Sequence, residues 1–260
     1  YDTQYTGHGE PIASWSIMSS GSWNGKIAGT APTSFSPQNK EYFQKMMGGN
    51  WANIEEIHYD DLHKLGTAAI LDQSVTKSRN LGILKVNLPE KQVKGISPSF
   101  GQKYYYSTKG DNLHTTMTSP EFDLTSASKA AFSYKTYYDV EYDYDFLYVY
   151  AHTSDGQKVL IDTIGDQDTD GDARAESSKG KWIDKTYDLS SFAGKKVQLE
   201  FEYVTDGGLS LDGFALDEAK LTVNDAVVFE DGAEGSPAFT LSGFEVSNGT
   251  FLKKHHYYLE

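Results

Sequence analysis

The sequence predicts a mainly β protein organised round a jelly-roll β-sandwich, and three observations carry that reading. Runs of alternating apolar and polar residues recur from about residue 112 to 223. Gly, Pro, Asn and Asp punctuate those runs at the spacing of a sandwich or jelly roll. The clearest helical period is short and lies outside them, at residues 37–47. With 260 residues, 38% hydrophobic and 13% aromatic, the chain has enough apolar material to bury such a core.

Residues 1–36 are rich in Ser, Gly and Pro and keep no period, so they read as ordered loop anchored by Trp15, Trp23 and Phe35. Ser36 suits a helix cap, Pro37 the first helical position and Gly48-Gly49 the stop, with Tyr42, Phe43, Met46 and Met47 sharing one face. Trp51, Ile54 and Ile57 recur every three residues, which predicts a second short helix or turn within 51–65. Beyond Gly66 the runs turn β-prone, at 68–71, 80–88, 102–106 and 114–118. At 130–138 alternation puts Phe132, Tyr134, Thr136 and Tyr138 on one face, and strands follow at 146–150, 159–164, 182–187, 196–203, 209–216 and 220–223. Residues 112–223 are therefore expected to form one sandwich. The flanks, 65–111 and 224–260, are too short to close a sheet alone. They are expected to pair across the sandwich as a split second β domain, which makes the sandwich an insertion, and residues 1–64 stand before them as a separate loop-rich and short-helix piece.

Charge and missing motifs exclude several functions. Lys and Arg number 23 against 37 Asp and Glu, a formal charge of −14, which argues against a nucleic-acid partner. Absence of Cys removes disulfides, thiolate metal sites and a Cys nucleophile. No run approaches the roughly 18–20 apolar residues that span a bilayer. There is no HExxH, no GxSxG and no Gly-rich phosphate loop with Lys, and His58 and His63 are five apart, which misses the helical spacing that converges two imidazoles on zinc. The start at Tyr1 and the aromatic run at 255–258 predict a piece cut from a longer protein.

Two acidic clusters are candidate calcium sites, because calcium takes six to eight oxygens and favours carboxylates. Asp139, Glu141, Asp143 and Asp145 alternate between two strong strands, and like charges on one face repel unless a cation or a bend intervenes. Asp206, Asp212 and Asp217 supply a partner group, so Glu141, Asp143, Asp145, Asp206, Asp212 and Asp217 are the first candidate ligand set. A second candidate loop holds Asp166, Asp168, Asp170 and Asp172 around Gly171. It departs from the helical calcium-hand pattern, since Ser177 stands where the bidentate Glu belongs and Glu176 comes one place early. The alternative for both clusters is a solvated acidic surface.

Residues 14–21, Ser-Trp-Ser-Ile-Met-Ser-Ser-Gly, place Met18 among small residues after an aromatic. This resembles the Met-turn of metzincin zinc peptidases. With Tyr1-Asp2-Thr3 before it and the 35–47 segment after it, the chain is similar to the immune inhibitor A family of secreted bacterial metallopeptidases, peptidase family M6, just downstream of their zinc motif. Residues 110–113, 119–124, 145–149, Trp182, 187–194 and 212–214 resemble the MAM-type jelly roll of that family.

The resemblance implies that residues 1–64 are the C-terminal part of a metzincin catalytic domain, with Met18 an apolar floor beneath the metal and Ser16, Ser19 and Ser20 shaping its turn. It implies zinc bound by an HExxHxxGxxD motif upstream of Tyr1, so that this chain alone should be inactive and the remainder of the parent polypeptide is its partner. It also implies protein or peptide substrates, an extracellular bacterial location and a calcium-stabilised accessory sandwich. A second reading is a non-enzymatic, calcium-dependent adhesion or carbohydrate-binding module that presents Tyr104, Tyr105 and Tyr106, or Tyr137 and Tyr138, to a ligand.

Overall fold

The computed structural model describes residues 12–65, 71, 81–169, 171 and 173–260. Tyr1 to Thr3, most of the strand expected at 68–71, and the candidate ligands Asp170 and Asp172 lie outside the described residues. The protein is mainly β, as its sequence predicts, and the chain divides into two compact units, Tyr1–Gln92 with Leu252–Glu260, and Val93–Phe251.

In the first unit, short 3-10 turns at Ala13–Trp15 and Ser20–Trp23 precede the expected helix, Pro37–Met47, whose Ser36 side chain caps the Asn39 N–H. The helix face is inverted relative to its sequence pattern. Tyr42, Met46 and Met47 are exposed, whereas Asn39, Lys40 and Glu41 are buried. On the buried side Glu41 meets Lys85 and Tyr258 on strands, Lys40 pairs with Glu260, and Asn39 bonds to Ser16 and Ser36, and this pairing overrides the apolar period. Phe43 packs among rings, 5.1 Å from Phe35 and 5.3 Å from Trp51 between centroids.

The expected helix or turn across 51–65 is corrected in its first half. Ile54–His58 is a strand and the helix is confined to Tyr59–Leu65. Three apolar residues at a spacing of three sample too little of a period to decide, and parallel pairing of Ile54–His58 with Ile83–Asn87 settles the matter. The last strand of this three-stranded sheet is His256–Leu259, antiparallel to Ile83–Asn87, with Leu259 opposite Leu84.

The second unit is a sandwich of two antiparallel sheets. One runs Ala175–Ser177, Ala130–Glu141, Gly213–Val223, Tyr104–Tyr106, Glu245–Ser247, with Ile183–Asp188 also on Ala130–Glu141 and Ala226–Asp231 on Gly213–Val223. The other runs Thr240–Ser242, His114–Thr118, Lys196–Val204, Phe146–Thr153, Lys158–Ile164, with Phe122–Asp123 on Lys196–Val204. Inward alternation fills the space between them: Phe132, Tyr134, Thr136, Tyr138 and Val140 from one strand, and Val197, Leu199, Phe201 and Tyr203 from another, are buried. Phe201 stacks 5.9 Å from Phe214 and meets Tyr134 edge-on at 5.7 Å. Each such ring contributes about 1.5–3 kcal/mol by leaving water.

Short strands at 104–106, 226–231, 240–242 and 245–247 thus belong to the sandwich sheets. In sequence they stand in the flanks, where runs of three to six residues carry too little alternation to name a partner. Tyr104, Tyr105 and Tyr106 are fully buried, and Tyr138 nearly so, which corrects their assignment as a ligand-binding aromatic surface. Their hydroxyls are satisfied from within: Tyr104 Oη donates to the Ile96 carbonyl and Tyr106 Oη to the Asp212 carbonyl, both at 2.9 Å, and Tyr105 Oη to Asp231.

Candidate metal centre

Three of the candidate carboxylates converge where strands of both sheets end. Glu141 closes the strand Ala130–Glu141, Asp145 precedes Phe146–Thr153, and Asp206 follows Lys196–Val204. One carboxylate oxygen from each lies within 4.8 Å of the others. The strand that carries Glu141 does not run straight through to Asp145. Asp143 takes a left-handed backbone (φ 65°) and its N–H donates to the Gly165 carbonyl at 2.8 Å, so the chain folds back and brings Asp145 against Glu141, with the Asp145 N–H on the Glu141 carbonyl at 3.1 Å. That bend is the alternative to mutual repulsion that four alternating acids require.

Gly165 makes the bend possible. Its φ is +112°, and a Cβ there would lie 2.0 Å from the Asp145 carbonyl oxygen. Buried Glu176 holds the same loop by accepting from the Gly165 N–H at 2.6 Å and the Gln167 N–H at 3.0 Å. Sequence reasoning noted Glu176 only as one place early for a calcium hand. Its signal as a loop anchor is tertiary and has no local pattern.

Among the described residues, no cationic side chain lowers the Asp145 or Glu141 carboxyl. Asp145 is 2% exposed; its Oδ1 accepts from the Asp206 N–H at 3.1 Å, but its Oδ2 and the Glu141 Oε2 are buried with no hydrogen-bond partner among the described residues. Burial, reinforced by the charges of Glu141 and Asp206, pushes the Asp145 carboxyl up to about 6. Burial and Asp206 likewise raise Glu141. Two buried carboxylate oxygens without a hydrogen-bond partner, on two acids of one cluster, form an arrangement that a hard cation stabilises.

The remaining candidates are placed elsewhere. Asp143 is exposed in the turn. Asp212 pairs with Lys109 at 2.8 Å. Asp217 is buried and accepts from the Ser99 and Phe100 N–H groups, both at 3.0 Å, and from the Glu218 N–H at 2.7 Å, so it anchors a loop. In the second candidate loop Asp168 accepts from the Gly171 and Ala173 N–H groups at 2.8 and 3.0 Å, a turn closed on itself, and Asp166 is exposed.

Met18 lies in the first unit, in a turn closed by hydrogen bonds from the Ser19 and Gly21 N–H groups to the Ser16 carbonyl at 3.0 and 3.1 Å, and from the Ile17 N–H to the Ser34 carbonyl at 3.1 Å. Its side chain is about half exposed.

Residues 65–249 match the family model of the immune inhibitor A-like MAM domain, and residues 1–52 match that of the immune inhibitor A peptidase M6 catalytic domain. The whole chain is 62% identical over 261 residues to immune inhibitor A of Bacillus thuringiensis subsp. alesti, spanning 38% of that protein. It is 40% identical over 262 residues to the pre-pro-metalloprotease PrtV of Vibrio cholerae serotype O1 (strain M66-2), spanning 28% of that protein. A match that takes in most of the sandwich and well over half the residues decides the matter: this chain belongs to the immune inhibitor A-like family.

Proposed function

We propose that the chain is the downstream part of a secreted zinc metalloendopeptidase, carrying an accessory sandwich held by a structural calcium ion. What supports the peptidase half is that a stretch similar to M6 catalytic domains and a MAM-like sandwich follow one another as in relatives named for protease activity. What supports the calcium half is the single observation that Glu141 Oε2 and Asp145 Oδ2 are buried, without a hydrogen-bond partner among the described residues, on two acids that cluster with a third, Asp206. Three carboxylates offer up to six hard oxygen donors, the class calcium prefers, and water completes the shell.

Zinc is a different matter for this chain. The sequence holds no HExxH, and among the described residues the only grouping of three His, Cys, Asp or Glu ligand atoms is the all-carboxylate cluster. These residues do not fit zinc, so its ligands and the general base belong upstream of Tyr1, and Met18 serves as an apolar floor. In this reading residues 1–64 complete the catalytic domain and contribute shape rather than a proton-transfer group.

Two measurements test the reading. The parent enzyme should hydrolyse a protein substrate in a zinc-dependent manner, whereas the 260-residue chain should not; an inactive, zinc-loaded parent refutes the peptidase half. Calcium should raise the melting temperature of the 260-residue chain above its value in EDTA, and equal melts refute the calcium half.

A further inference from the structure

Asn39, buried at the third position of helix Pro37–Met47, sits at the centre of a relay that ends on Met18. Its Oδ1 accepts from the Ser36 hydroxyl at 2.8 Å and from the Ser16 hydroxyl at 3.2 Å. The Ser16 Oγ in turn accepts from the Met18 N–H at 3.2 Å. A hydroxyl has one proton to give, so donation to Asn39 turns a lone pair of Ser16 toward Met18 and fixes the direction of the relay. Ser16 is almost completely buried, which keeps water from substituting for either partner.

The rest of the turn leaves little slack. Gly21 packs so closely that a Cβ would lie 2.5 Å from the Ser16 carbonyl oxygen and 2.2 Å from Thr33 Cγ2. Two residues beyond Asn39, Glu41 ties the same helix to the sheet through Lys85 at 2.7 Å and through the Tyr258 hydroxyl. The helix is therefore anchored at one point to the three-stranded sheet and at another to the Met18 turn.

We propose that Asn39 is a positioning residue for the active site, holding the Met18 turn in place through the Ser16 hydroxyl. The inference rests on the reading of Met18 as the floor of a peptidase metal site. Asn39 touches neither substrate nor metal and acts through the turn. Its removal frees the Ser16 hydroxyl to rotate, the Met18 amide loses its aligned acceptor, and the turn loosens while the helix and sheet persist.

The experiment compares Asn39→Leu, which keeps the branched shape but removes the acceptor, with Asn39→Asp, which keeps the acceptor and places its charge at the helix N-terminus where it is favoured. In the 260-residue chain, amide exchange at Met18 should quicken about tenfold in Asn39→Leu, the factor of one lost hydrogen bond, and stay within about twofold of wild type in Asn39→Asp. Exchange at Leu199, in the sandwich core, should not change in either. Should Asn39→Leu fail to fold, Ser16→Ala removes the relay and leaves the Ser36–Asn39 cap, and it should give the same quickening at Met18. Unchanged Met18 exchange in the folded variants overturns the relay.

In the zinc-loaded parent enzyme, Asn39→Leu should lower kcat about tenfold with KM within about twofold, and Asn39→Asp should restore it. Quicker exchange with unchanged kcat in an active parent overturns the positioning role. A wild-type parent with no activity refutes the peptidase reading and the catalytic role with it, while the exchange result still decides the relay.

Discussion

Two buried carboxylate sites in this chain meet opposite fates. In the first unit Glu41 is surrounded by donors from its own chain: Lys85 at 2.7 Å, Lys45 one helical turn on, and the Tyr258 hydroxyl. Burial alone would raise its carboxyl, but hydrogen bonds from Lys45, Lys85 and Tyr258, with the Lys85 charge, hold it down to about 2. In the sandwich, burial and two neighbouring acids push Asp145 up to about 6, and its Oδ2 has no hydrogen-bond partner among the described residues. Desolvation acts on both; only the counter-charge differs. A buried acid paired within the chain is a finished structural joint, and a buried acid without a partner is a place for something from solution.

The largest expected effect breaks the finished joint. Glu41→Ala leaves buried Lys85 with Glu56, at 3.4 Å, as its ion-pair partner among the described residues, and should cost about 3 kcal/mol. Amide exchange in Ile83–Asn87 reads it, and a loss under about 1 kcal/mol would show the joint to be incidental.

Next comes the unfinished site. Calcium held at a hundredfold its dissociation constant should stabilise the sandwich by about 2.7 kcal/mol over the EDTA form. Asp145→Asn should abolish that gain, and in EDTA at pH 7 it should be more stable than wild type because it removes a desolvated charge. If Asp145→Asn instead destabilises the metal-free chain, Asp145 is already paired and the contrast fails.

The pH response sharpens the comparison with a change of sign. Asp145 has its folded pKa near 6, above its ordinary 3.8. Between those values the folded state binds more protons than the unfolded one, so metal-free stability of the sandwich falls as pH rises from about 4 to 6, on the order of 2 kcal/mol. Glu41 is depressed from 4.5 to about 2, so its stabilisation is present above about 4.5 and is lost as pH falls toward 2. Exchange measured separately at Leu84 and Leu199 across pH 3–7 should therefore move in opposite directions. The smallest effects belong to the acids outside the cluster. Asp143→Asn should change stability by less than about 0.5 kcal/mol. Asp212→Asn, which weakens an exposed pair with Lys109 and a 3.5 Å hydrogen bond from the Tyr137 hydroxyl, should cost under about 1 kcal/mol, with calcium dependence intact.

The sandwich was legible in sequence wherever a strand is long. The alternation of Phe132, Tyr134, Thr136 and Tyr138 is a period-two signal that packing only confirms. Short strands such as Tyr104–Tyr106 carry no such period, and their partners lie more than a hundred residues away along the chain. The acidic candidates were legible as a group but not as a site: Glu141, Asp145 and Asp206 converge because a left-handed Asp143 and Gly165 bend the hairpin, and spacing cannot report a bend. The helix misled in a different way. Tyr42, Met46 and Met47 mark a genuine apolar face, yet Lys85 and Tyr258, remote in sequence, draw its polar face inward.

Isothermal titration of calcium into the EDTA-stripped, dialysed 260-residue chain tests the central contrast most directly, with Asp145→Asn and Glu41→Gln in parallel. The account predicts binding in wild type, none at that site in Asp145→Asn, and wild-type affinity in Glu41→Gln. Equal binding by wild type and Asp145→Asn, or no binding by wild type, would contradict it.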